Sequence, residues 1–143
     1  MELVCPDCAT VNRVPETRLG EQPVCGKCGA ALLTGAPREL DENGFERLLA
    51  RHGQPVVVDF WARGCGPCRA MAPQFEAAAR QMGDRVAFAK VNTDLEPDVA
   101  QRLGIRGIPT LAVFAGGREI ARRSGAMSAA DLVRWVDSAV AAG

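Results

Sequence analysis

From about residue 38 onward, the apolar positions of the chain change period repeatedly. Phe45, Leu48 and Leu49 recur at helical spacing behind Asp41, a suitable N-cap, and predict a helix to Arg51 and His52 that Gly53 and Pro55 stop. His52, at the end of this helix, reads as a surface residue. Pro55 to Trp61 is a nearly continuous run of β-formers, the pattern of a central strand buried on both faces. A second helix, from about Pro67 to Met82, places Met71, Phe75, Ala78, Ala79 and Met82 on one side, and its interior Pro73 is expected to kink it. There follow a strand over Arg85 to Val91, a short helix over Pro97 to Leu103 and two strands, Thr110 to Ala115 and Arg118 to Arg122, joined at Gly116-Gly117. A capped final helix spans Ser128 to Ala141, with Leu132, Val133, Trp135 and Val136 as its core side. With room for a short first strand near Arg38 to Leu40, the order is that of an α/β fold whose helices flank a central sheet.

The first 33 residues follow no such period. Met1 to Leu33 lacks long apolar runs and is broken by Pro6, Pro15, Pro23, Gly20, Gly26 and Gly29. A segment this small cannot build a sufficient hydrophobic core, so covalent or coordinate bonds must fix it. Its cysteines supply them: Cys5-Pro-Asp-Cys8 and Cys25-Gly-Lys-Cys28, sixteen residues apart, have the spacing of a tetrahedral four-cysteine zinc ribbon. Gly26 and Gly29 let the backbone fold closely around the ion. An iron site would use the same four thiolates, and two disulfides would staple the same residues; ligand type and compartment favour one zinc per chain. The expected organisation is a four-cysteine zinc module over 1–33, a linker over 34–37 and an α/β domain over 38–143.

Charge narrows the partners. Across 143 residues, 17 basic side chains balance 17 acidic ones, so nothing asks for nucleic acid or an anionic membrane. Met1 to Cys8 has no cationic run leading into an apolar stretch, and no segment approaches the roughly 20 apolar residues of a membrane span. All six cysteines fall in Cys-x-x-Cys pairs, which in a chain expected to stay in the cytoplasm points to metal and redox work rather than structural crosslinks.

The third pair, in Phe60-Trp-Ala-Arg-Gly-Cys65-Gly-Pro-Cys68-Arg, sits where a strand ends and a helix begins. Free backbone N–H groups and the positive end of the helix dipole stabilise a thiolate on Cys65, while Cys68, one turn in, keeps its proton longer. Asp59 stands in an apolar strand that normally excludes carboxylates, which favours a functional role. Lys90 reads either as its partner or as a solvated strand residue. Pro109 alone reads as an ordinary trans proline opening a strand.

Taken together, these residues resemble the thioredoxin family from about Arg38 to Ala142. The match rests on the Cys65-Gly-Pro-Cys68 motif, Asp59, Lys90 in Ala-Lys-Val-Asn, Ile105-Arg-Gly-Ile-Pro109-Thr, and Gly125. With the four N-terminal cysteines, it extends over nearly the whole chain to the zinc-containing type often called thioredoxin 2. The resemblance implies a thioredoxin fold and reduction of protein disulfides, Cys65 attacking and Cys68 resolving, with Asp59 as the base for Cys68 and Lys90 beside it. It further implies a cis Pro109, substrate contacts at Trp61, Gly66, Pro67, Ile108, Pro109 and Gly125, a monomer, and recycling by an NADPH-dependent thioredoxin reductase. No GxGxxG element suggests that the chain itself binds the nucleotide. The sequence departs from the family at Gly64, where Trp usually precedes the first active-site cysteine. Two rivals stand beside this reading. One is a disulfide oxidase or isomerase, disfavoured by the missing export signal; the other is a zinc-dependent protein-binding or redox-sensing adaptor that uses the thioredoxin domain as scaffold.

Overall fold

The computed structural model describes every residue, Met1–Gly143. In the N-terminal lobe β1 (Glu2–Val4) and β2 (Val11–Arg13) pair antiparallel, and a 3₁₀ turn follows over Glu16–Glu21. The remainder runs β3 (Arg38–Glu39), α1 (Glu42–Arg51), β4 (Val56–Trp61), α2 (Gly66–Met82), β5 (Ala87–Asn92), α3 (Pro97–Arg102), β6 (Thr110–Ala115), β7 (Arg118–Ser124) and α4 (Ala129–Ala142). The predicted elements are all present. β7 runs past Arg122 because Arg123 and Ser124 still pair with Leu111 and Thr110, and α2 continues through Pro73 as one helix.

The five-stranded sheet has the order β3-β5-β4-β6-β7, with β3, β5 and β4 parallel and the last two pairings antiparallel. β4 is therefore central, and strand alternation sends its side chains to two cores. Val56, Val58 and Phe60 pack with Phe45 and Leu48 of α1 and Val99 of α3, the Phe45 ring meeting Phe60 and Phe114 edge-on at 6.2 and 5.8 Å. Val57 packs with Met71, Phe75 and Met82 of α2 and Leu132 and Val136 of α4. Asp41 and Ser128 cap α1 and α4, accepting the N–H groups of Gly44 at 2.7 Å and Asp131 at 3.2 Å. This mixed sheet with helices on both faces is the thioredoxin fold.

The lobe has a small core of its own, Leu3, Cys5, Val14, Cys25 and Leu32. Its outer side, Val4 with Ala9 and Val11, joins the α1-side core. The backbone seals the junction: Gly53 N–H donates to the Glu2 carbonyl at 2.7 Å, and the Arg38 guanidinium donates to the Val4 carbonyl at 2.7 Å. The linker crosses the end of α2 so closely that a Cβ on Gly83 would lie 2.3 Å from Gly35 Cα, so that crossing requires glycine.

His52 corrects the sequence reading. It is 8% exposed, because β1 lies across the end of α1 and covers it. Val4 N–H donates to His52 Nδ1 at 3.0 Å, His52 Nε2 lies 3.2 Å from Gln54 Oε1, and Gln54 Nε2 donates to the Asp84 carbonyl at 2.9 Å. Burial, with Arg38 nearby, holds the imidazole neutral by lowering its pKa to about 4.

Candidate functional site

β4 and α2 position the redox pair. Cys65 is the N-cap of the 17-residue α2, where its Sγ accepts the Cys68 N–H at 3.2 Å, and Gly66 and Pro67 form the first turn. Proline is suited to this position because its missing N–H has no partner to lose there. Cys65 and Cys68 are joined as a disulfide. Cys65 is half-buried, whereas Cys68 is only 3% exposed, the asymmetry expected of attacker and resolver. The loop before β6 closes over the pair, with the Ile108 carbonyl 3.7 Å from Cys65 Sγ, and the Ile108–Pro109 bond is cis. Gly125, at φ +99°, donates its N–H to the Pro109 carbonyl at 2.9 Å and so brings the β7–α4 loop to the same place.

Beneath the pair lies a charged row. Register aligns Glu39, Lys90 and Asp59 across β3, β5 and β4, so all three share the sheet face covered by α2. Asp59 is 1% exposed, and its Oδ1 has no hydrogen-bond partner. Burial pushes its pKa up to about 7, with Lys90 opposing and Glu39 adding to the rise. Lys90 makes no direct ion pair with it; its Nζ stands 4.6 Å above the ring of Trp61, a cation–π contact. Trp61 is half-buried, its indole N–H unpartnered, and its carbonyl accepts the Thr93 N–H at 2.8 Å. Sequence reasoning missed Glu39, which carried no motif; only the strand register brings it to the row.

In the lobe, the sulfurs of Cys5, Cys8, Cys25 and Cys28 all lie within 4.8 Å of one another. Two nearly identical knuckles build this cluster. Asp7 N–H donates to Cys5 Sγ and Lys27 N–H to Cys25 Sγ, each at 3.4 Å, while Ala9 and Gly29 N–H close the turns on the Cys5 and Cys25 carbonyls at 3.0 and 2.9 Å. Gly29 adopts φ +80°, as does its counterpart Ala9 at +62°, whereas Gly26 needs no such conformation. Cys5 Sγ lies 3.6 Å from Cys28 Sγ, and Cys8 Sγ lies 3.6 Å from Cys25 Sγ. Metal–sulfur bonds of ~2.3 Å in a tetrahedron would set sulfurs ~3.8 Å apart, so the cluster fits a metal site of four cysteines. Backbone N–H bonds from the Cys28 knuckle, together with the Asn12 amide, hold Cys25 down to about 6, while Cys28, against a backbone bond at Ala30, is pushed up to about 12 by desolvation and its neighbouring thiols. Four charged thiolates at this spacing need a cation among them.

The family profile described as Thioredoxin matches residues 36–138, and that described as Thioredoxin 2, N-terminal matches residues 4–30. The chain belongs to the thioredoxin family. Thioredoxin C-3 of Corynebacterium nephridii is 42% identical over 137 residues, covering 96% of this chain and 94% of its own. The thioredoxin of Rhodospirillum rubrum is 40% identical over 103 residues, 72% of this chain and 99% of its own. Among solved structures, the Malassezia sympodialis thioredoxin superposes with a TM-score of 0.67 at 33% identity, over 73% of this chain and 91% of that one. Chloroplastic thioredoxin z superposes at 0.68 and 30% identity, over 74% and 96%. This thioredoxin is accordingly a thiol–disulfide oxidoreductase, a protein-disulfide reductase with Cys65 and Cys68 as its redox pair.

Proposed function

We propose that this thioredoxin reduces disulfides of cytoplasmic proteins and is returned to its dithiol form by an NADPH-dependent thioredoxin reductase. The observation that carries the catalytic assignment is the half-buried Cys65 at the N-terminus of α2 with Cys68 buried one turn in. The Cys65 thiolate attacks one substrate sulfur; the substrate S–S bond breaks, and its leaving sulfur takes a proton. Cys68 then gives its proton to Asp59, whose pKa of about 7 suits exchange near neutrality, and attacks Cys65. The mixed disulfide breaks, the second substrate thiol leaves, and the chain retains the Cys65–Cys68 disulfide, two electrons having passed to the substrate. Lys90 opposes the rise in Asp59's pKa. In this reading Trp61, Gly66, Pro67, Ile108, Pro109 and Gly125 contact the substrate chain; the Ile108 carbonyl 3.7 Å from Cys65 Sγ and the Gly125 N–H on the Pro109 carbonyl support it.

Cys5, Cys8, Cys25 and Cys28 would hold one zinc ion. Zinc suits four sulfur ligands in a closed tetrahedron, and it supplies folding energy to the lobe rather than redox chemistry. Pairing of every cysteine for metal or redox use supports a reducing compartment.

Insulin reduction coupled to NADPH and a thioredoxin reductase tests the reading. Cys65→Ser should lower turnover by at least about 10³-fold, the scale of losing a covalent nucleophile, and Cys68→Ser should accumulate the mixed disulfide. Retained biological function in Cys65→Ser would favour the adaptor reading instead.

A further inference from the structure

Three loops meet at the dithiol: the turn from β4 into α2, the approach to β6, and the β7–α4 connection. Each carries or adjoins arginine, Arg69 lying in the first turn of α2 and Arg123 near the end of β7. Arg63 stands two residues before Cys65, and Arg69 directly follows Cys68. Arg106 stands two residues before Ile108, whose carbonyl is 3.7 Å from Cys65 Sγ. Arg123 stands two residues before Gly125, which is bonded to the Pro109 carbonyl. All four are exposed, and none takes part in an ion pair.

Elsewhere most arginines are engaged: Arg18, Arg51, Arg85, Arg102, Arg122 and Arg134 each pair with a carboxylate, and Arg38 and Arg47 donate to backbone carbonyls of the lobe, while Arg13, Arg80 and Arg118 are exposed and unpaired at scattered positions. The segments 60–75, 104–110 and 123–128 contain no carboxylate at all. Near the site, Asp59 is buried, and Asp94, two residues after Trp61's register partner Asn92, is the nearest exposed acid along the neighbouring loop. The segments that meet at the dithiol thus carry four arginines without an ion-pair partner, Arg123 opening toward α4, on a chain of zero net charge. Clustered like charges repel, and nothing in the fold uses these four; their planar guanidinium forks remain free for carboxylates from outside.

We propose that this arginine collar selects substrate proteins whose disulfide is flanked by Asp or Glu, steering the acidic segment onto Cys65. The proposal rests on the reductase reading and names the substrate class it leaves open. A cationic surface of this kind raises encounter rates with anionic partners, and the gain falls as salt screens it. A merely lowered thiolate pKa at Cys65 would speed every substrate alike, so discrimination between substrates separates the two effects.

The test uses the full-length, metal-loaded chain, reduced beforehand, in single turnover against three disulfide-linked peptides identical except for flanking Asp, Ser or Lys residues. At low ionic strength the Asp peptide should react roughly tenfold faster than the Lys peptide, the lower end of electrostatic steering, with the Ser peptide between. Near 1 M salt, where the screening length is about 3 Å, the three rates should converge. Charge reversal with Arg63→Glu and Arg106→Glu leaves two positive and two negative positions and should abolish the preference. Equal rates at low salt, a Lys peptide that reacts fastest, or a gap indifferent to salt would overturn the collar while leaving the reductase intact. Failure of all three peptides to react would overturn the reductase reading and the collar with it. The salt series needs no variant, so a misfolded double mutant would not blunt the result.

Discussion

The lobe and the thioredoxin domain both present cysteines as Cys-x-x-Cys, yet their surroundings set those cysteines to different work. In the lobe, two knuckles aim four sulfurs inward to within 4.8 Å of one another, and five buried residues form the whole core. In the domain, one pair opens a long helix above a sheet flanked by two clusters of 12 buried residues, to one of which the lobe adds Val4. Four convergent thiols repel as they ionise and so call for a cation; two at a helix N-terminus, with one half-buried and one buried, are ready to exchange with another disulfide. A small core leans on coordination for its stability, whereas a large one can hold a buried carboxylate at its centre.

The largest test of this contrast is metal removal. Metal binding to a site of four cysteines is worth on the order of 10 kcal/mol of folding free energy, so a strong chelator should unfold 1–33 and leave 38–143 folded. Hydrogen exchange should show protection lost over β1 and β2 and kept over β4 to β6. Simultaneous loss in both regions would make the lobe part of the domain's cooperative unit.

Asp59 should give the next largest effect. Its pKa rises from 3.8 to about 7 on folding, so between those values the folded chain holds a proton that the unfolded chain has released. Stability therefore falls as pH rises through this window and is level above it, by on the order of 4 kcal/mol at most. Asp59→Asn should stabilise the oxidised protein at pH 8 by a few kcal/mol, do little near pH 4, and slow release of substrate. Denaturant midpoints of both proteins at pH 4, 6 and 8 check this; a constant difference would contradict a buried, proton-holding carboxylate.

His52 probes the seam between the regions. Its folded pKa of about 4 lies below the ordinary 6.5, so stability is full above pH 6.5 and is lost as pH falls toward 4. His52→Leu removes that slope and leaves Val4 N–H without its acceptor, at a cost of about 1–3 kcal/mol. Faster amide exchange at Val4 is the local signature.

The smallest effect lies at Gly64. A Cβ there would meet nothing within 4 Å, and the backbone is not in the left-handed region. Gly64→Trp should raise the unfolding midpoint in both redox states by roughly 0.5–1 kcal/mol through lost unfolded-state freedom. A lower midpoint in both would mean that the loop is built around glycine.

Much of the fold was legible in the order of the amino acids, because local rules leave their mark at short range. Asp41 and Ser128 mark helix starts through cap chemistry, Val56 to Phe60 marks a strand buried on both faces, and Cys-x-x-Cys spacing marks ligand geometry. His52, Glu39 and Arg38 left no such mark, since their partners lie 48, 51 and 34 residues away in Val4, Lys90 and Val4 respectively. Their roles depend on which surface packs against which.

By itself, then, the amino-acid sequence determined the elements, the two sets of cysteines and the thioredoxin resemblance, all of which rest on spacings of a few residues. The tertiary structure alone decided that the lobe docks over the end of α1, that a histidine at a helix end is buried and neutral, and that Glu39 joins Lys90 and Asp59 in one row. It also brought the segments that carry Arg63, Arg69, Arg106 and Arg123 together around the dithiol. Each of these is a meeting of distant segments, and the free energy of such meetings comes from burial and charge that no short stretch of chain contains.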